Sequence, residues 1–332
     1  MPEDILYSVR NLTVEYQTRA GAVRAVDDVS LDIRRGEILG LVGESGCGKS
    51  TLGKALMRLH TGPASITGGE LWFDGRDLMK LPINEMPDVR GAEIGMVFQD
   101  PMTSLNPIQR ILDHLTETIH THEPETSDAE ARRRAEELAE RLGIRRERLN
   151  EYPHQMSGGM RQRVMISLAL ALRTKLLIAD EPTTSLDVIV EAKFLDLLQE
   201  LQKEFGLTIL LITHNIGVVA EVADRVAVMY AAKMAEVGDV NDVFGDPKHP
   251  YTQGLLKSVP NIRMGENELY KMEGAPPSLL HPPSGCRFHP RCPFVMDVCH
   301  TQEPAFEPVV ADHLASCLLY QKAGVKQESL NG

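Results

Sequence analysis

The chain has 332 residues, of which 42% are hydrophobic and 25% charged, and both fractions are ordinary for a globular protein. It carries 35 Lys and Arg against 47 Asp and Glu, a formal net charge of −12. Because proteins that bind a nucleic-acid backbone over a wide surface carry a basic excess, this balance argues against DNA or RNA as a partner.

No segment approaches the roughly 20 consecutive apolar residues of a membrane-spanning helix. The nearest is Val164 to Leu172, which is followed directly by the polar run RTK. The first residues, MPED, lack the basic and apolar regions of a secretory signal. We therefore expect a cytosolic chain that reaches a membrane only through partner subunits.

A phosphate loop follows the first predicted buried strand, Ile38–Val42. Residues 43–50 are GESGCGKS, which match the pattern G-x-x-x-x-G-K-[ST]. The glycines let backbone N–H groups close around the β- and γ-phosphates, Lys49 adds a positive charge, and the Ser50 hydroxyl suits Mg²⁺. The chain therefore binds a nucleoside triphosphate. The residues predicted to contact it here are Gly43, Ser45, Gly46, Cys47, Gly48, Lys49, Ser50 and Thr51.

Further strands alternate with helical segments. Ile94–Phe98 predicts a buried strand that ends at Gln99, and Leu176–Ala179 and Thr208–Thr213 predict two more. The amphipathic stretch Ile189–Phe205 separates the last two strands. A strand–helix–strand order implies a parallel sheet in the core of an α/β fold.

A charged helix is predicted at 128–138, where the sequence is DAEARRRAEEL. Glu130 with Arg134, and Arg133 with Glu137, have the i,i+4 spacing of ion pairs on a helix. Such a charge run is typical of a solvated helix face.

Two adjacent carboxylates, Asp180 and Glu181, follow the predicted strand Leu176–Ala179. Transfer of a γ-phosphoryl group to water needs a metal and a group that orients or deprotonates the water. We assign Asp180 to Mg²⁺, together with Ser50, and Glu181 to the general base. An Asp-Glu-Pro tripeptide by itself is compatible with a solvated turn, but its agreement with the phosphate loop favours the catalytic interpretation.

The run SGGMRQ at 157–162, between the phosphate loop and these carboxylates, completes a set of motifs that resembles ABC-type ATPase subunits. The resemblance implies a P-loop NTPase (RecA-like) fold with an antiparallel β subdomain and a helical subdomain at about 101–165. It also implies that Gln99 senses metal and water, that His214 contacts the γ-phosphate, and that Tyr16 stacks on adenine. Without it, a strand-end His is more often structural, and a strand Tyr is as often part of the core.

The signature residues Ser157, Gly158 and Gly159 act in trans in the family that the chain resembles. They close on the γ-phosphate held by another subunit, so that ATP joins a dimer and its hydrolysis reopens it. The run Ser185–Asp187 matches the loop that crosses this dimer interface.

Finer matches are FQDPMTSLNP at 98–107, MRQR at 160–163 and HPYT at 249–252. With the cysteine-bearing tail, they resemble the D-type ATP-binding subunits of oligopeptide and dipeptide permeases over nearly the whole chain. The resemblance implies a peripheral subunit at the cytoplasmic face of the plasma membrane. It implies as partners a second, homologous ATPase, two membrane-spanning permeases and an extracytoplasmic solute-binding protein. It does not fix the solute, since members of this branch also move oligosaccharides, nickel or haem.

The composition changes after about Gly245, which predicts an ATP-binding domain at 1–245 and an extension at 246–332. Gly274–Pro308 is rich in proline and has no helical period, so we expect a separate small module there. It contributes most of a group of four cysteines, which is Cys286, Cys292, Cys299 and Cys317.

Disulfides are disfavoured in a cytosolic chain, which leaves a metal centre or free thiols. The C-x2-C pairs of zinc knuckles are missing, and the family resemblance favours a [4Fe–4S] cluster over zinc or unligated thiols. We expect a cluster to stabilise this core-poor segment without affecting the ATP site.

The sequence thus predicts the ATP-hydrolysing subunit of an importer for peptides or related solutes. One alternative is a soluble ABC ATPase of DNA repair or translation. The single cassette, the excess of acidic residues and the lack of a long coiled coil argue against it. Another is an iron–sulfur redox protein with a regulatory nucleotide site.

Overall fold

The computed structural model describes residues 3–60, 62–99, 104–172, 174–184, 186–258 and 272–321. In this part of the chain the strands are β1 (Ile5–Thr18), β2 (Gly21–Arg34), β3 (Ile38–Val42), β4 (Ala64–Phe73), β5 (Arg76–Asp77), β6 (Ile94–Val97), β7 (Leu176–Asp180), β8 (Thr208–Thr213), β9 (Arg225–Tyr230), β10 (Lys233–Asp239), β11 (Glu307–Val310) and β12 (His313–Ala315). The α-helices are α1 (Lys49–Leu56), α2 (Ile111–His122), α3 (Asp128–Arg141), α4 (Gly158–Leu170), α5 (Val188–Phe205), α6 (Ile216–Val222), α7 (Val240–Gly245) and α8 (Pro250–Lys257).

The main sheet has the strand order β11-β12-β10-β9-β3-β8-β7-β6. Its central strands β9, β3, β8, β7 and β6 are parallel, which confirms the predicted parallel core. Every residue of β3, β7 and β8 is buried, because both faces of the sheet are covered. Since parallel strands share a direction, the segments that follow β3, β6, β7 and β8 meet at one edge of this sheet.

A smaller antiparallel sheet, in the order β2-β1-β4-β5, covers one face of the main sheet. The two faces of β8 show the resulting layers. Leu210 and Ile212 belong to a core shared with residues of β1 and β2, whereas Ile209 and Leu211 belong to a core shared with α4 and α5. The parallel sheet is therefore a middle layer between antiparallel strands and helices. This arrangement matches the predicted P-loop α/β fold with an antiparallel β subdomain.

Helices α2, α3 and α4 occupy most of the predicted helical subdomain. In α3, Arg133 binds Glu137 at 2.7 Å as predicted. The other predicted pair, Glu130 with Arg134, is wrong. Glu130 binds Arg133 at 2.6 Å. Arg134 binds Glu123, which precedes the helix. The i,i+3 neighbour competes with the i,i+4 neighbour on a helix surface, and Arg133 lies between two carboxylates.

The described residues of the C-terminal extension, 246–258 and 272–321, do not form a sheet of their own. Strand β12 pairs antiparallel with β10, where Val237 lies opposite Leu314, and β11 pairs with β12 at the edge of the main sheet. An edge strand such as β10 presents unpaired backbone groups that a hairpin can satisfy. The predicted separate module is therefore not confirmed, since this hairpin extends the sheet of the ATP-binding domain.

Candidate functional site

The phosphate loop connects β3 to α1 and has no space for a side chain at two of its three glycines, Gly43 and Gly48. Gly48 has a φ of 111°, and a Cβ there would lie 2.0 Å from the Ala25 carbonyl oxygen. A Cβ on Gly43 would lie 2.2 Å from the carbonyl oxygen of Met229. Both positions therefore require glycine, and the loop backbone is fixed by what packs behind it.

Lys49 lies at the start of α1 and is almost fully buried. Its Nζ donates to the carbonyl oxygens of Gly43, at 2.7 Å, and Glu44, at 3.1 Å. The ammonium group is thus held within the loop, where a phosphate would need a positive charge.

The Ser50 hydroxyl donates to Oδ1 of Asp180 at 2.8 Å. Asp180 is 4% exposed, and burial raises the pKa of its carboxyl, while the hydrogen bond from Ser50 lowers it. A hydroxyl and a carboxylate oxygen at this separation form the type of ligand set that Mg²⁺ prefers. The residues present therefore fit the predicted magnesium site.

Glu181 directly follows β7 and has a φ of 47°, in the left-handed region that is unfavourable for a residue with a Cβ. Its backbone N–H donates to the carbonyl oxygen of Ile212 on the neighbouring strand at 2.8 Å. The strain of such a residue, of order 1–3 kcal/mol, persists only where the surrounding structure enforces it. The contact with β8 is part of that enforcement.

Three side chains converge on one carboxylate oxygen, Oε2 of Glu181. Nε2 of Gln99 lies 3.3 Å from it, Nδ1 of His214 lies 3.3 Å from it, and Oγ1 of Thr184 donates to it at 3.1 Å. The structure thus brings together the three residues predicted to act in catalysis. The sequence reasoning missed Thr184, whose position after the Asp-Glu-Pro run was the only available signal.

Gln99 and Glu181 line a cavity of about 310 Å³ together with the phosphate loop. The residues that line it are Ala25, Ser45, Gly46, Gly48, Lys49, Ser50, Thr51, Gln99 and Glu181. The thiol of Cys47 points away into the core, and burial raises its pKa, so only its backbone is available to a ligand.

Tyr16, predicted to stack on adenine, lies on β1 and is half-buried. Its hydroxyl is 3.3 Å from Oγ1 of Thr51 in α1, which places the ring beside the phosphate loop. Its role in adenine binding stays a prediction.

The signature residues lie at the start of α4 and line a different cavity, also of about 310 Å³, together with Leu186 and Asp187. The Ser157 hydroxyl accepts from the Met160 N–H as an N-cap. A Cβ on Gly159 would lie 2.7 Å from the side chain of Val190, so close packing against α5 requires glycine. Within one chain, the signature therefore does not share the cavity of the phosphate loop. Ser185 lies outside the described residues.

The four C-terminal cysteines are free thiols. Burial raises the pKa of Cys286 and of Cys317 to about 11, and the other thiols of the group add to both shifts. Their sulfur donors suit a metal centre by type. However, the described residues contain no group of three or more His, Cys, Asp or Glu side chains arranged to hold a metal ion. The predicted [4Fe–4S] cluster is therefore not supported by this geometry.

The C-terminal extension also touches the phosphate loop, which the sequence did not predict. Arg291 forms a two-point ion pair with Glu44, and the hydroxyl of Tyr251 accepts a hydrogen bond from the Glu44 N–H at 2.8 Å. The expectation that the ATP site is independent of the cysteine-bearing segment stays a prediction, and these contacts give a route by which the extension could affect the loop.

Comparison with known proteins agrees with this geometry. The family described as "ABC transporter" matches residues 26–184, and the family described as "Oligopeptide/dipeptide transporter, C-terminal region" matches residues 235–299. The oligopeptide transport ATP-binding protein OppD of Bacillus subtilis is 47% identical over 323 residues, which cover 96% of this chain and 90% of that protein. The chain belongs to the ATP-binding proteins of oligopeptide and dipeptide ABC transporters.

Other relatives support the same assignment. The dipeptide transport ATP-binding protein DppD of B. subtilis is 47% identical, with 94% of each chain covered. OppD of Escherichia coli is 46% identical over 95% of this chain and 93% of that protein. As a member of this family, the chain is a transporter ATPase. This assignment favours the importer prediction over a soluble ABC ATPase of DNA repair or translation.

Solved structures show the same fold. The ATP-binding cassette MJ0796, solved as a dimer in a post-hydrolysis state with ADP and phosphate, is 30% identical with a TM-score of 0.64. The match covers 70% of this chain and 98% of that one. CbiO1 from Clostridium perfringens, part of the transporter complex CbiONQ, gives a TM-score of 0.63 at 29% identity, over 74% of this chain and 92% of that one.

Proposed function

We propose that the chain hydrolyses ATP to power the import of peptides or related solutes. The observation that carries this proposal is the meeting of Ser50, Asp180, Glu181, Gln99 and His214 beside the phosphate loop. The names of the relatives, which are peptide transport proteins, support the class of solute.

The contacts support a proposed role for each residue. Lys49 and the loop N–H groups bind the phosphates, and Ser50 and Asp180 would hold Mg²⁺, which would supply positive charge against the phosphate oxygens. Glu181 accepts a proton from the attacking water, while Gln99 and His214 orient its Oε2. The left-handed backbone at Glu181 fixes the direction in which this carboxylate leaves the strand.

The functional unit is a dimer of ATPase subunits. The separation of the signature cavity from the loop cavity supports this proposal, because Ser157 and Gly158 need a phosphate that their own chain does not supply. The dimeric state of the related cassette MJ0796 also supports it. A second, homologous ATPase, two membrane-spanning permeases and an extracytoplasmic solute-binding protein complete the proposed assembly.

The proposed location is the cytoplasmic face of the plasma membrane, held there by the permeases. Across the described ranges, no helix has the length and apolar character needed to span a bilayer.

The proposed centre at Cys286, Cys292, Cys299 and Cys317 is a [4Fe–4S] cluster with a structural role. The proposal rests on the sulfur donor set and on the family resemblance. Metal ligation would need all four as thiolates, with the loss of their protons.

Deletion of the gene from its source organism tests the importer function. We expect the deletion strain to lose uptake of labelled di- and oligopeptides. The wild-type chain should restore it and Glu181→Gln should not. A tagged chain purified from membranes should carry two multi-span proteins and a second ATPase. Normal peptide uptake in the deletion strain, with loss of uptake of a sugar, nickel or haem, would overturn the peptide assignment and keep the ATPase.

A further inference from the structure

The phosphate loop is braced from outside the ATP-binding domain at its second residue, Glu44. The Glu44 carbonyl accepts from Lys49 inside the loop, its N–H donates to the Tyr251 hydroxyl, and its carboxylate binds Arg291. Tyr251 and Arg291 both belong to the C-terminal extension. We propose that Arg291 and Tyr251 are positioning residues that hold the phosphate loop in its nucleotide-binding shape through Glu44.

The ion pair has the geometry of a strong, directional contact. Nη1 of Arg291 lies 2.7 Å from Oε2 of Glu44, and Nη2 lies 3.0 Å from Oε1. This parallel two-point arrangement fixes orientation as well as distance. The Arg291 side chain is only 5% exposed, so solvent screens the pair less than it screens a surface ion pair.

Arg291 is itself held in place on its other sides. Its Nε donates to the carbonyl oxygen of Glu273 at 3.0 Å, and Nη1 also donates to the Tyr230 hydroxyl at 3.3 Å. The guanidinium carbon lies 5.8 Å from the centre of the Tyr230 ring. Because its position is fixed before it meets Glu44, Arg291 transmits the placement of the extension to the loop.

Tyr251 reaches the same residue from α8. Its ring is fully buried, and it packs at 4.5 Å against Tyr230 and at 5.5 Å against Phe288 between ring centres. The hydroxyl is thus held in a rigid aromatic cluster that ends at the Glu44 N–H. An N–H with its own partner in the protein is not free to rotate toward a phosphate, so this contact sets which loop amides face the ligand.

A second contact supports the loop from behind. Arg287 of the extension forms an ion pair with Asp27 on β2. It also donates to the carbonyl oxygen of Ala231, in the turn between β9 and β10. Ala231 and Ala232 have φ values of 45° and 70°, which are strained for residues with a Cβ. The Ala232 N–H donates to the Cys47 carbonyl oxygen at 2.8 Å. The extension therefore stabilises a strained turn that touches the loop.

The inference rests on the proposed nucleotide site, and one set of variants of the assembled transporter tests both. The quantity measured is the Kd for labelled ATP crosslinked to this chain, with Mg²⁺, in a Glu181→Gln background that prevents turnover at its own site. Arg291→Gln, Glu44→Gln and Tyr251→Phe should each weaken ATP binding about 10-fold, the effect typical of one charge-assisted or buried hydrogen bond. Asp312→Asn is the matched control, because Asp312 binds Arg34 at 3.1 Å on the same extension, on the exposed β11–β12 turn.

Coupling and conservative rescue separate positioning from a general loss of structure. The double variant Arg291→Gln with Glu44→Gln should bind ATP about as well as either single variant, because both remove one contact. Arg291→Lys should recover part of the affinity, because it keeps the charge but loses the two-point geometry. In turnover assays without the Glu181 substitution, the KM for ATP should rise more than kcat falls.

Lys49→Ala distinguishes failure of the site from failure of the inference. If this chain still crosslinks to labelled ATP after Lys49→Ala, the nucleotide site itself is misplaced and the proposed function falls with it. If Lys49→Ala loses binding while the Arg291, Glu44 and Tyr251 variants all bind like the Asp312→Asn control, only the positioning role is overturned. The positioning role would also be overturned if Arg291→Gln and Glu44→Gln together weakened ATP binding by the product of their separate effects.

Discussion

Nδ1 of His214 lies 3.3 Å from Oε2 of Glu181, although the two residues belong to different segments of the chain. His214 follows β8 and Glu181 follows β7, and these strands are parallel neighbours. Their side chains therefore meet because both strands end at the same sheet edge. This contact places an imidazole nitrogen beside the predicted general base.

Glu181→Gln is expected to preserve ATP binding and to lower hydrolysis by at least about 10²-fold, the effect typical of losing a general base. The amide keeps the shape of the side chain and its contacts with Gln99 and His214, but it cannot accept the proton. Phosphate release and ATP binding by the purified transporter measure the two effects. ATP should then hold the ATPase dimer closed. Near-normal turnover would remove Glu181 from this role and shift attention to His214.

The signature is expected to act on the partner's nucleotide. Ser157→Arg should impair hydrolysis at the site of the partner subunit, because the long cation enters the cavity at the start of α4. Lys49→Ala should impair binding at the chain's own loop. Crosslinking with labelled ATP to each subunit separates these effects. Loss of binding to the chain's own loop in Ser157→Arg, with the partner unaffected, would contradict action in trans.

Folding stability is expected to depend on pH through His249. Burial lowers the pKa of His249 to about 4, while the nearby Glu236 carboxylate opposes this shift. In the unfolded chain the pKa is near 6.5, so the unfolded state binds more protons between the two values. Stability from this group is complete above about pH 6.5 and is lost as the pH falls toward 4. The loss amounts to about 2 kcal/mol by pH 5.

His249→Asn tests this dependence. The Nδ1 of His249 accepts from the Tyr251 N–H at 3.0 Å, and Asn can replace that N-cap while removing the titration. Denaturant unfolding of the full chain at pH 7.5 and pH 5 measures the change. The stability difference between wild type and variant should shrink at pH 5. Equal differences at both pH values would show that His249 does not titrate as described.

The cysteine centre has a direct chemical signature. Protein purified without oxygen should be brown and contain about four iron atoms per chain, as a [4Fe–4S] cluster requires. Cys317→Ser should lose the colour and expose the extension to protease, because ligation stabilises a segment with little core. Stoichiometric zinc without iron would exclude the cluster.

The same variant reports on the link to the nucleotide site. If the extension loosens, Arg291 loses its place beside Glu44, and ATP affinity should fall as it does in Arg291→Gln. This expectation follows from the proposed positioning role and differs from the sequence-based one, in which ATP binding persists. If the extension is proteolysed and the affinity for ATP is unchanged, the nucleotide site does not depend on the extension.

The sequence could predict which residues lie together at the sheet edge where those residues belong to short motifs. The phosphate loop, Asp180 and Glu181 are each identified by local pattern, and the buried apolar strand before each motif predicts that they meet at one sheet edge. Gln99 and His214 needed the family resemblance, because a single polar residue after a strand is not distinctive.

The contacts of the extension could not be predicted in this way. Glu44 and Arg291 lie 247 positions apart, and neither belongs to a pattern that specifies a partner. The pairing of β12 with β10 is equally non-local. Strand β12 is also short and follows a proline-rich segment, so its sequence gives little sign of a strand. Proline content suggested a separate module, whereas strand pairing and ion pairs join the extension to the ATP-binding domain.

The most direct test of the account is peptide-dependent ATP hydrolysis by the complete transporter in lipid vesicles. With a peptide and the solute-binding protein, the wild-type complex should hydrolyse ATP faster and accumulate the labelled peptide. The complex with Glu181→Gln should bind ATP and do neither. Peptide accumulation that continues in the Glu181→Gln complex, or in the absence of ATP, would contradict the assignment of this chain as the subunit that powers import.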